Sequence, residues 1–266
     1  MVFYLEIMFF NRIKREKCYN SLMNEFIEAV KLIKQAEYGV VFTGAGVSVE
    51  SGIAPFTGQG GLWNQYDPKF IEINFFYSNP TQSWEEMKKI FFTDMEESSP
   101  NKAHEVIAKL EKKKMVRGVI TQNIDGLHQK AGSKNVQEFH GTIHTLSCTS
   151  CGKKYRLKEL DLQTVPPRCS CGGVLKPDFV FYGEGIPAGA YEKSLEMAQN
   201  ADVMIIVGTA GQVMPACSLP ITAKEWGAKI IEINPQPSAF TDTITDYYFA
   251  EKAGEFFAKL EKEMKL

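Results

Sequence analysis

Apolar residues recur along this chain in two alternating rhythms, short unbroken runs and longer stretches with helical spacing. The runs Val40 to Thr43, Val116 to Thr121, Val203 to Gly208 and Lys229 to Asn234 are rich in Val and Ile and read as buried strands. A further strand is expected at Asp178 to Tyr182. Helical periodicity starts at Met23, where Phe26, Ile27, Val30 and Ile33 form one apolar face. It returns at Trp84 to Phe92, Asn101 to Lys114, Ala190 to Asn200, Ala216 to Trp226 with a bend at Pro220, and Lys252 to Met264. Alternating strand and helix predict an α/β fold, a parallel sheet with helices on both faces.

The residues at the strand exits are more informative than the strands. The four best runs end in Thr43-Gly44-Ala45-Gly46, Thr121-Gln122-Asn123, Gly208-Thr209-Ala210-Gly211 and Asn234-Pro235. Ligands of open parallel sheets bind beyond the carboxyl ends of the strands, so these exits should converge on one crevice and one extended ligand. Gly44 and Gly46 would let backbone approach a pyrophosphate at a helix start, although two glycines after a strand are equally a tight turn. The three other exits tip the balance toward a nucleotide. An ordinary dehydrogenase fingerprint fails: Val49 stands where its third glycine belongs, Gly52 comes too late, and Glu72 closes no clear strand. Asn234 is the substitute for the missing ribose contact.

Composition narrows the field. A chain of 266 residues with a net charge of -2 and a pI near 6.2 can bury a full core and carries no global attraction for nucleic acid or anionic membrane. No apolar run approaches a membrane span. Met1 to Phe10 is apolar and Asn11 to Lys17 basic, the reverse of an export signal. Residues 1–22 therefore read as an extension ahead of a functional start at Met23, or as a segment that docks on the body or a membrane surface.

Four of six cysteines cluster as Cys148-x-x-Cys151 and Cys169-x-Cys171, with seventeen residues between the pairs. Four thiolates with no open position suit a closed, structural zinc better than a redox pair, and such a site favours a reducing cytoplasm. Cys18 and Cys217 read as a tail residue and a small buried side chain. Glu138-Phe139-His140-Gly141 lies between Asp125 and the first cysteine. His104, His128 and His144 read as structural, since a lone histidine is more often a satisfied core residue than a catalyst.

From about Met23 to the C-terminus the chain resembles the sirtuins, the NAD-dependent protein lysine deacylases. The matching motifs are Gly44-Ala45-Gly46-Val47-Ser48 with Ser51-Gly52-Ile53 and Gly61-Leu62-Trp63, Thr121 to His128, His140-Gly141, the four cysteines, Phe179 to Glu184, Gly208-Thr209 and Asn234. The resemblance implies a Rossmann-type doubly wound NAD-binding domain (about 23–56, 115–140 and 176–266). It also implies a small domain with a helical part (about 57–110) and a zinc ribbon (about 142–175). An acyl-lysine peptide would lie between them, and the working unit would be a monomer.

Residue by residue, the resemblance implies NAD phosphates at Gly44, Ala45 and Gly46, and the adenosine side at Gly208, Thr209, Ala210 and Asn234. Gln122 and Asn123 would sit near the nicotinamide ribose, Ile124 and Asp125 at the carboxamide, and Phe56 and Thr57 on the facing loop. The acyl oxygen would attack the ribose carbon as nicotinamide leaves, with Asn123 and Asp125 supporting His140 as general base, toward an alkylimidate and then O-acyl-ADP-ribose. Backbone of Val180 and Gly183, beside Phe181, would add the peptide as a strand. Two departures stand out. The family's G-I-P-x-F-R-G reads Gly52-Ile53-Ala54-Pro55-Phe56-Thr57-Gly58 here, so Thr57 replaces an arginine that helps to order the loop and contacts NAD, and Ala210 replaces a serine. Met87 and Ile90 occupy positions where succinyl-removing members carry Tyr and Arg, which predicts acetyl or longer apolar acyl groups. Thr57 keeps open an NAD hydrolase or mono-ADP-ribosyltransferase, and a non-catalytic NAD-binding module is the third alternative.

Overall fold

The four apolar runs pair side by side, and two shorter strands extend the sheet they make. The computed structural model describes residues 23–58, 60–92 and 98–266, so the extension expected over 1–22 lies outside the described residues. Helix α1 (23–35) leads into β1 (Gly39–Thr43), and the chain continues through α2 (Ile73–Ser78), α3 (Pro80–Met87), α4 (Lys102–Lys112), β2 (Val116–Thr121), α5 (Leu127–Ala131) and β3 (Val136–Glu138). Then come β4 (Gly141–Cys148), β5 (Lys154–Arg156), β6 (Leu175–Phe179), α6 (Ala188–Asn200), β7 (Val203–Val207), α7 (Ser218–Glu225), β8 (Lys229–Ile233), β9 (Tyr247–Phe249) and α8 (Ala253–Met264).

The main sheet has the order β3-β2-β1-β7-β8-β9, every pair parallel. Counted along this sheet alone the order is 3-2-1-4-5-6, the doubly wound Rossmann arrangement, and the direction of winding reverses between β1 and β7. Successive side chains point to opposite faces, so β1 sends Val41 to one core and Val40 and Phe42 to the other. The first core packs α1, α4 and α8 through residues such as Ile33, Ile107 and Phe256; the second packs α6 and α7 through Met197 and Leu219. Strands covered on both faces read as continuous apolar runs, which is why they are visible in the sequence.

A second sheet, β5-β4-β6, is antiparallel and three-stranded. One expectation from the sequence fails here. The run Asp178 to Tyr182 is not a strand of the parallel sheet: the strand is β6, three residues earlier, and it pairs with β4. Its burial alternates, with Leu175, Pro177 and Phe179 buried and Lys176 and Asp178 half-buried, as a one-faced strand requires. Tyr182 makes only an isolated bridge with Glu72. A third core joins this sheet to α2 and α3, and the Trp84 indole N–H donates to the Leu175 carbonyl at 2.8 Å.

Two helix boundaries also shift. The stretch Trp84 to Phe92 leaves α-helical geometry after Met87, and Lys88–Phe92 forms a π-helical turn. Pro220 is the third residue of α7, where the first-turn N–H has no intrahelical partner to lose, so no bend is needed. No described helix is long and apolar enough to cross a membrane.

Candidate active site

The exits of β1 and β7 meet at the point where the sheet reverses. Gly44 N–H donates to Val207 O at 3.0 Å and Gly46 N–H to Gly208 O at 2.8 Å. The approach leaves no room for side chains: a Cβ on Gly46 would sit 2.7 Å from the Gly208 carbonyl, and Gly208 itself has φ of 62°. Gly44 lies in this packed seam, behind Ala45 and Gly46, which line a cavity of about 1290 Å³. The other two exits are tied to the same seam. Thr209 Oγ1 donates to Gln122 Oε1 at 2.8 Å, and Asn234 Nδ2 donates to Thr209 O at 3.0 Å. Gln122, Gly208, Thr209, Ala210 and Asn234 all line the cavity, so the convergence expected from the strand ends is present in the fold.

Beneath this floor runs a buried polar network. Ser48 Oγ donates to Asp125 Oδ2 at 2.7 Å, and Asn123 Nδ2 donates to Ser48 Oγ at 3.1 Å and to Asp125 Oδ2 at 3.3 Å. Leu127 N–H closes the turn on Asp125 Oδ1 at 2.9 Å. Asn123 and Ile124 reach the cavity lining, whereas Asp125 supports them from behind. Ser48 is a member of this network that sequence reasoning did not single out: it is fully buried and links Asn123 to Asp125, and only its place in the Gly44 to Ser48 motif hinted at it.

His140 succeeds the short edge strand β3 and lines the same cavity. Its Nδ1 lies 3.0 Å from the Gln122 carbonyl, which can only accept, so Nδ1 carries the proton and Nε2 keeps its lone pair. Burial lowers the pKa of this imidazole below the usual histidine value, and the Gln122 carbonyl opposes that shift. A neutral ring with a free Nε2 can take a proton from a hydroxyl. The other histidines lie behind the lining. His128 Nε2 meets Thr43 Oγ1 at 3.0 Å, His144 Nε2 meets the Asp125 carbonyl at 3.0 Å, and His104 Nδ1 accepts from Asn101 N–H in a capping box on α4.

The facing wall is aromatic. Phe56 lies tilted at 5.3 Å over Trp63 and meets Phe91 edge-on at 6.3 Å, and Phe179 stacks at 4.8 Å on Phe181. All five rings line the cavity, with exposed Thr57 beside Phe56. Met87 and Ile90 do not. Both are core residues, because the π-helical turn after Met87 presents Phe91 to the cavity instead. Val180 and Gly183 line the rim, and Val180 N–H is taken by the His140 carbonyl at 2.8 Å.

The four clustered cysteines gather away from the cavity, at the end of β4 and in the loops beside it. Their sulfur atoms lie within 4.8 Å of one another, with Cys148 to Cys171 at 3.5 Å and Cys151 to Cys169 at 3.6 Å. Four thiolates about 2.3 Å from a tetrahedral zinc sit roughly 3.8 Å apart, so this donor set fits that ion. Cys169 is pulled down to about 6 by the Cys171 N–H and the Tyr155 hydroxyl, whereas Cys171, against the pull of the Gly173 N–H, is pushed up to about 12 by its neighbouring thiols.

Known proteins carry the same layout. A sequence model of the Sir2 family matches residues 44–215. The NAD-dependent protein deacylase 2 of Pyrobaculum aerophilum is 43% identical over 88% of this chain and 94% of its own length. A Sir2 homologue solved with NAD superposes with a TM-score of 0.83 at 37% identity, over 90% of this chain and 93% of that one. A Sir2 protein solved with a p53 peptide and NAD+ superposes with a TM-score of 0.82 at 34% identity, over 90% of this chain and 98% of that one. With the reversal point, the four converging exits and the cysteine cluster all in place, this chain belongs to the Sir2 family, the sirtuins.

Proposed function

We propose that the protein is an NAD-dependent protein lysine deacylase, which moves an acyl group from a lysine side chain to ADP-ribose and releases nicotinamide. The observation that carries this reading is the neutral His140, its Nε2 free, in one continuous cavity with Gln122, Asn123 and the Val180 to Gly183 rim. NAD, the relatives' co-substrate, supplies the electrophilic ribose carbon.

The chain's own residues then divide the work. At the start of a 3₁₀ turn Ala45 and Gly46 hold the phosphates, with the Ala45 N–H as donor, since the Gly46 N–H is taken by the Gly208 carbonyl. Thr209, Ala210 and Asn234 hold the adenosine side, and Gln122 and Asn123 the nicotinamide ribose. Ile124 contacts the carboxamide, with Asp125 steadied beneath it by Ser48. His140 takes a proton from a ribose hydroxyl through Nε2. Phe56 shields that face from water, and Val180 and Gly183 pair with the peptide backbone beside Phe181. Cys148, Cys151, Cys169 and Cys171 hold one zinc that supplies folding free energy and takes no part in the reaction.

The same reading divides the chain into a cofactor-binding domain (23–56, 115–140, 176–266) and a smaller domain (57–110, 142–175). It has the protein act as a monomer in the cytoplasm, where thiols stay available to zinc. The aromatic wall favours an apolar acyl group: Lys252 is the single Lys or Arg among the described lining residues, and it lies beside Ala253 at the start of α8, not on the Phe91 side. Incubation with NAD and acetyl-lysine peptide, then mass spectrometry, should yield nicotinamide and O-acetyl-ADP-ribose in equal amounts, and a succinyl peptide should be the poorer substrate. Nicotinamide released without peptide would instead favour NAD hydrolysis or ADP-ribosyl transfer, the reading that exposed Thr57 keeps in play.

A further inference from the structure

The rim that faces the peptide is held by an ion pair. Lys176, on β6, has a side chain only 13% exposed, and its ammonium lies 2.9 Å from Glu184 Oε2, whose side chain is 25% exposed. The ammonium also donates to the carbonyls of Pro177 and Phe179, each at 3.0 Å, and sits 4.1 Å from the centroid of the Phe181 ring. Glu184 Oε2 in turn accepts the Phe181 N–H at 2.8 Å.

These contacts close a turn. Glu184 N–H donates to Phe181 O at 3.0 Å, with Gly183 at φ of 88°, the third position of a type II turn that glycine fills without strain. Tyr182 is held on both sides, its N–H by Ile71 O and its carbonyl by Ile73 N–H. After these bonds, Val180 C=O and Gly183 N–H are left with no partner among the described residues. They are the backbone groups that would hydrogen-bond an added strand. A half-buried ion pair adds little net stability, because desolvation cancels most of the attraction. What it fixes is a conformation.

We infer that the Lys176–Glu184 pair is a positioning device for the substrate, locking the Phe181 to Glu184 turn so that Val180 C=O and Gly183 N–H stand ready for the acyl-lysine peptide. This rests on the deacylase reading and adds to it two residues that never touch the acyl group. The pair acts on peptide binding rather than on NAD, because the groups it orders belong to the Val180 to Gly183 rim and not to the glycine seam at Ala45 and Gly46. Loss of the carboxylate frees the Phe181 N–H, lets the turn open, and makes the peptide supply the ordering on binding.

The test is steady-state kinetics of Glu184→Ala, Glu184→Gln and Lys176→Met with NAD and an acetyl-lysine peptide. Glu184→Ala raises the peptide KM about tenfold, while kcat at saturating peptide and the KM for NAD stay within about twofold. Glu184→Gln, which keeps an acceptor for the Phe181 N–H, lies between it and the parent. Amide hydrogen exchange of the free proteins, which needs no activity, should show faster exchange at Phe181 in Glu184→Ala and not at β1. An unchanged peptide KM with unchanged exchange would overturn the inference, as would equal losses in peptide KM, NAD KM and kcat, which mark a general structural defect. A parent protein without peptide turnover would refute the deacylase reading alone, and exchange at Phe181 would still decide the role of the pair.

Discussion

The two walls of the cavity are built by opposite means. The sheet wall is backbone: glycines packed at the seam of Gly44, Gly46 and Gly208, with short polar side chains cross-linked beneath them, all anchored to strands that hydrogen-bond on both sides. The facing wall is side chain: five aromatic rings on a loop, a π-helical turn and the end of a three-stranded sheet whose far end gathers four thiols. The first wall is held by backbone, because Gly44 and Gly208 donate to the ends of the neighbouring strands and Gly46 to Gly208. The second depends on packing and on the four thiols beside its small sheet, which on the proposed reading hold one zinc, so the two walls should fail separately.

Removing the metal is the largest break. Structural zinc contributes about 10–16 kcal/mol to folding in zinc-finger peptides at neutral pH. Cys169→Ser, or exhaustive chelation, should therefore abolish peptide turnover and release the zinc, while circular dichroism and NAD binding report a parallel sheet still folded. Loss of both walls together would mean that they do not fold as separate units.

His140→Ala tests the chemistry at the seam between the walls. A positioned general base contributes about 10²–10⁴ in rate, so kcat should fall in that range with NAD and peptide affinity largely kept. Burial sets the sign of the pH dependence. The base form is the active one and its pKa is lowered, so the acid limb of kcat should lie below the ordinary histidine value of about 6.5 and fall as pH drops through it.

Behind the sheet wall, His104 and His128 meet edge to face at 4.8 Å, with His104 Nε2 and His128 Nδ1 unpartnered among the described residues. Burial pushes His104 down to about 4 and His128 well below its ordinary value. The unfolded chain therefore binds protons first. Stability present above pH 6.5 should be lost as pH falls toward 4, by roughly 1.4 kcal/mol per pH unit for each histidine that stays neutral. Denaturant melts at several pH values measure the slope, and His104→Gln should flatten it.

Ser48→Ala, smaller still, removes the hydroxyl shared by Asn123 and Asp125. Leaving a buried carboxylate short of a donor costs about 1–3 kcal/mol. The expected reading is a higher KM for NAD with little change in the KM for peptide, the mirror image of the effect predicted for Glu184.

The contrast between the walls also explains what the sequence could reveal. The exits of β1, β2, β7 and β8 were legible because strands buried on both faces are continuous apolar runs with abrupt polar ends, and the cysteines because metal spacing is local. Edge strands β3 and β9 span three residues each, too short for any period. The facing wall was harder to read for a physical reason: Pro177 and Lys176 disguise β6, and Met87 and Ile90, proposed from the resemblance alone, lie in the core while the π-helical turn brings Phe91 to the cavity. Ser48 and Glu184 act through contacts across 77 residues and across a tight turn, which no spacing rule encodes.

Thr57→Arg is the finest test, because it asks whether the loop joining the walls lacks anything. In the family the arginine orders this loop and contacts NAD. Here the loop is closed without it: Leu62 N–H donates to Pro55 O at 2.8 Å, Trp63 N–H to Phe56 O at 3.0 Å, and Asn64 Nδ2 to Gly58 O at 2.7 Å. Ordering is thus already supplied by backbone and by the packing of Phe56 on Trp63, and what an arginine would add is charge. An exposed charge near phosphates gives on the order of 1 kcal/mol at most and is screened by salt. Thr57→Arg should lower the KM for NAD severalfold at low ionic strength and less at high, with melting temperature unchanged. A rise in melting temperature would show that the backbone closure is incomplete and that the arginine's missing role is structural after all.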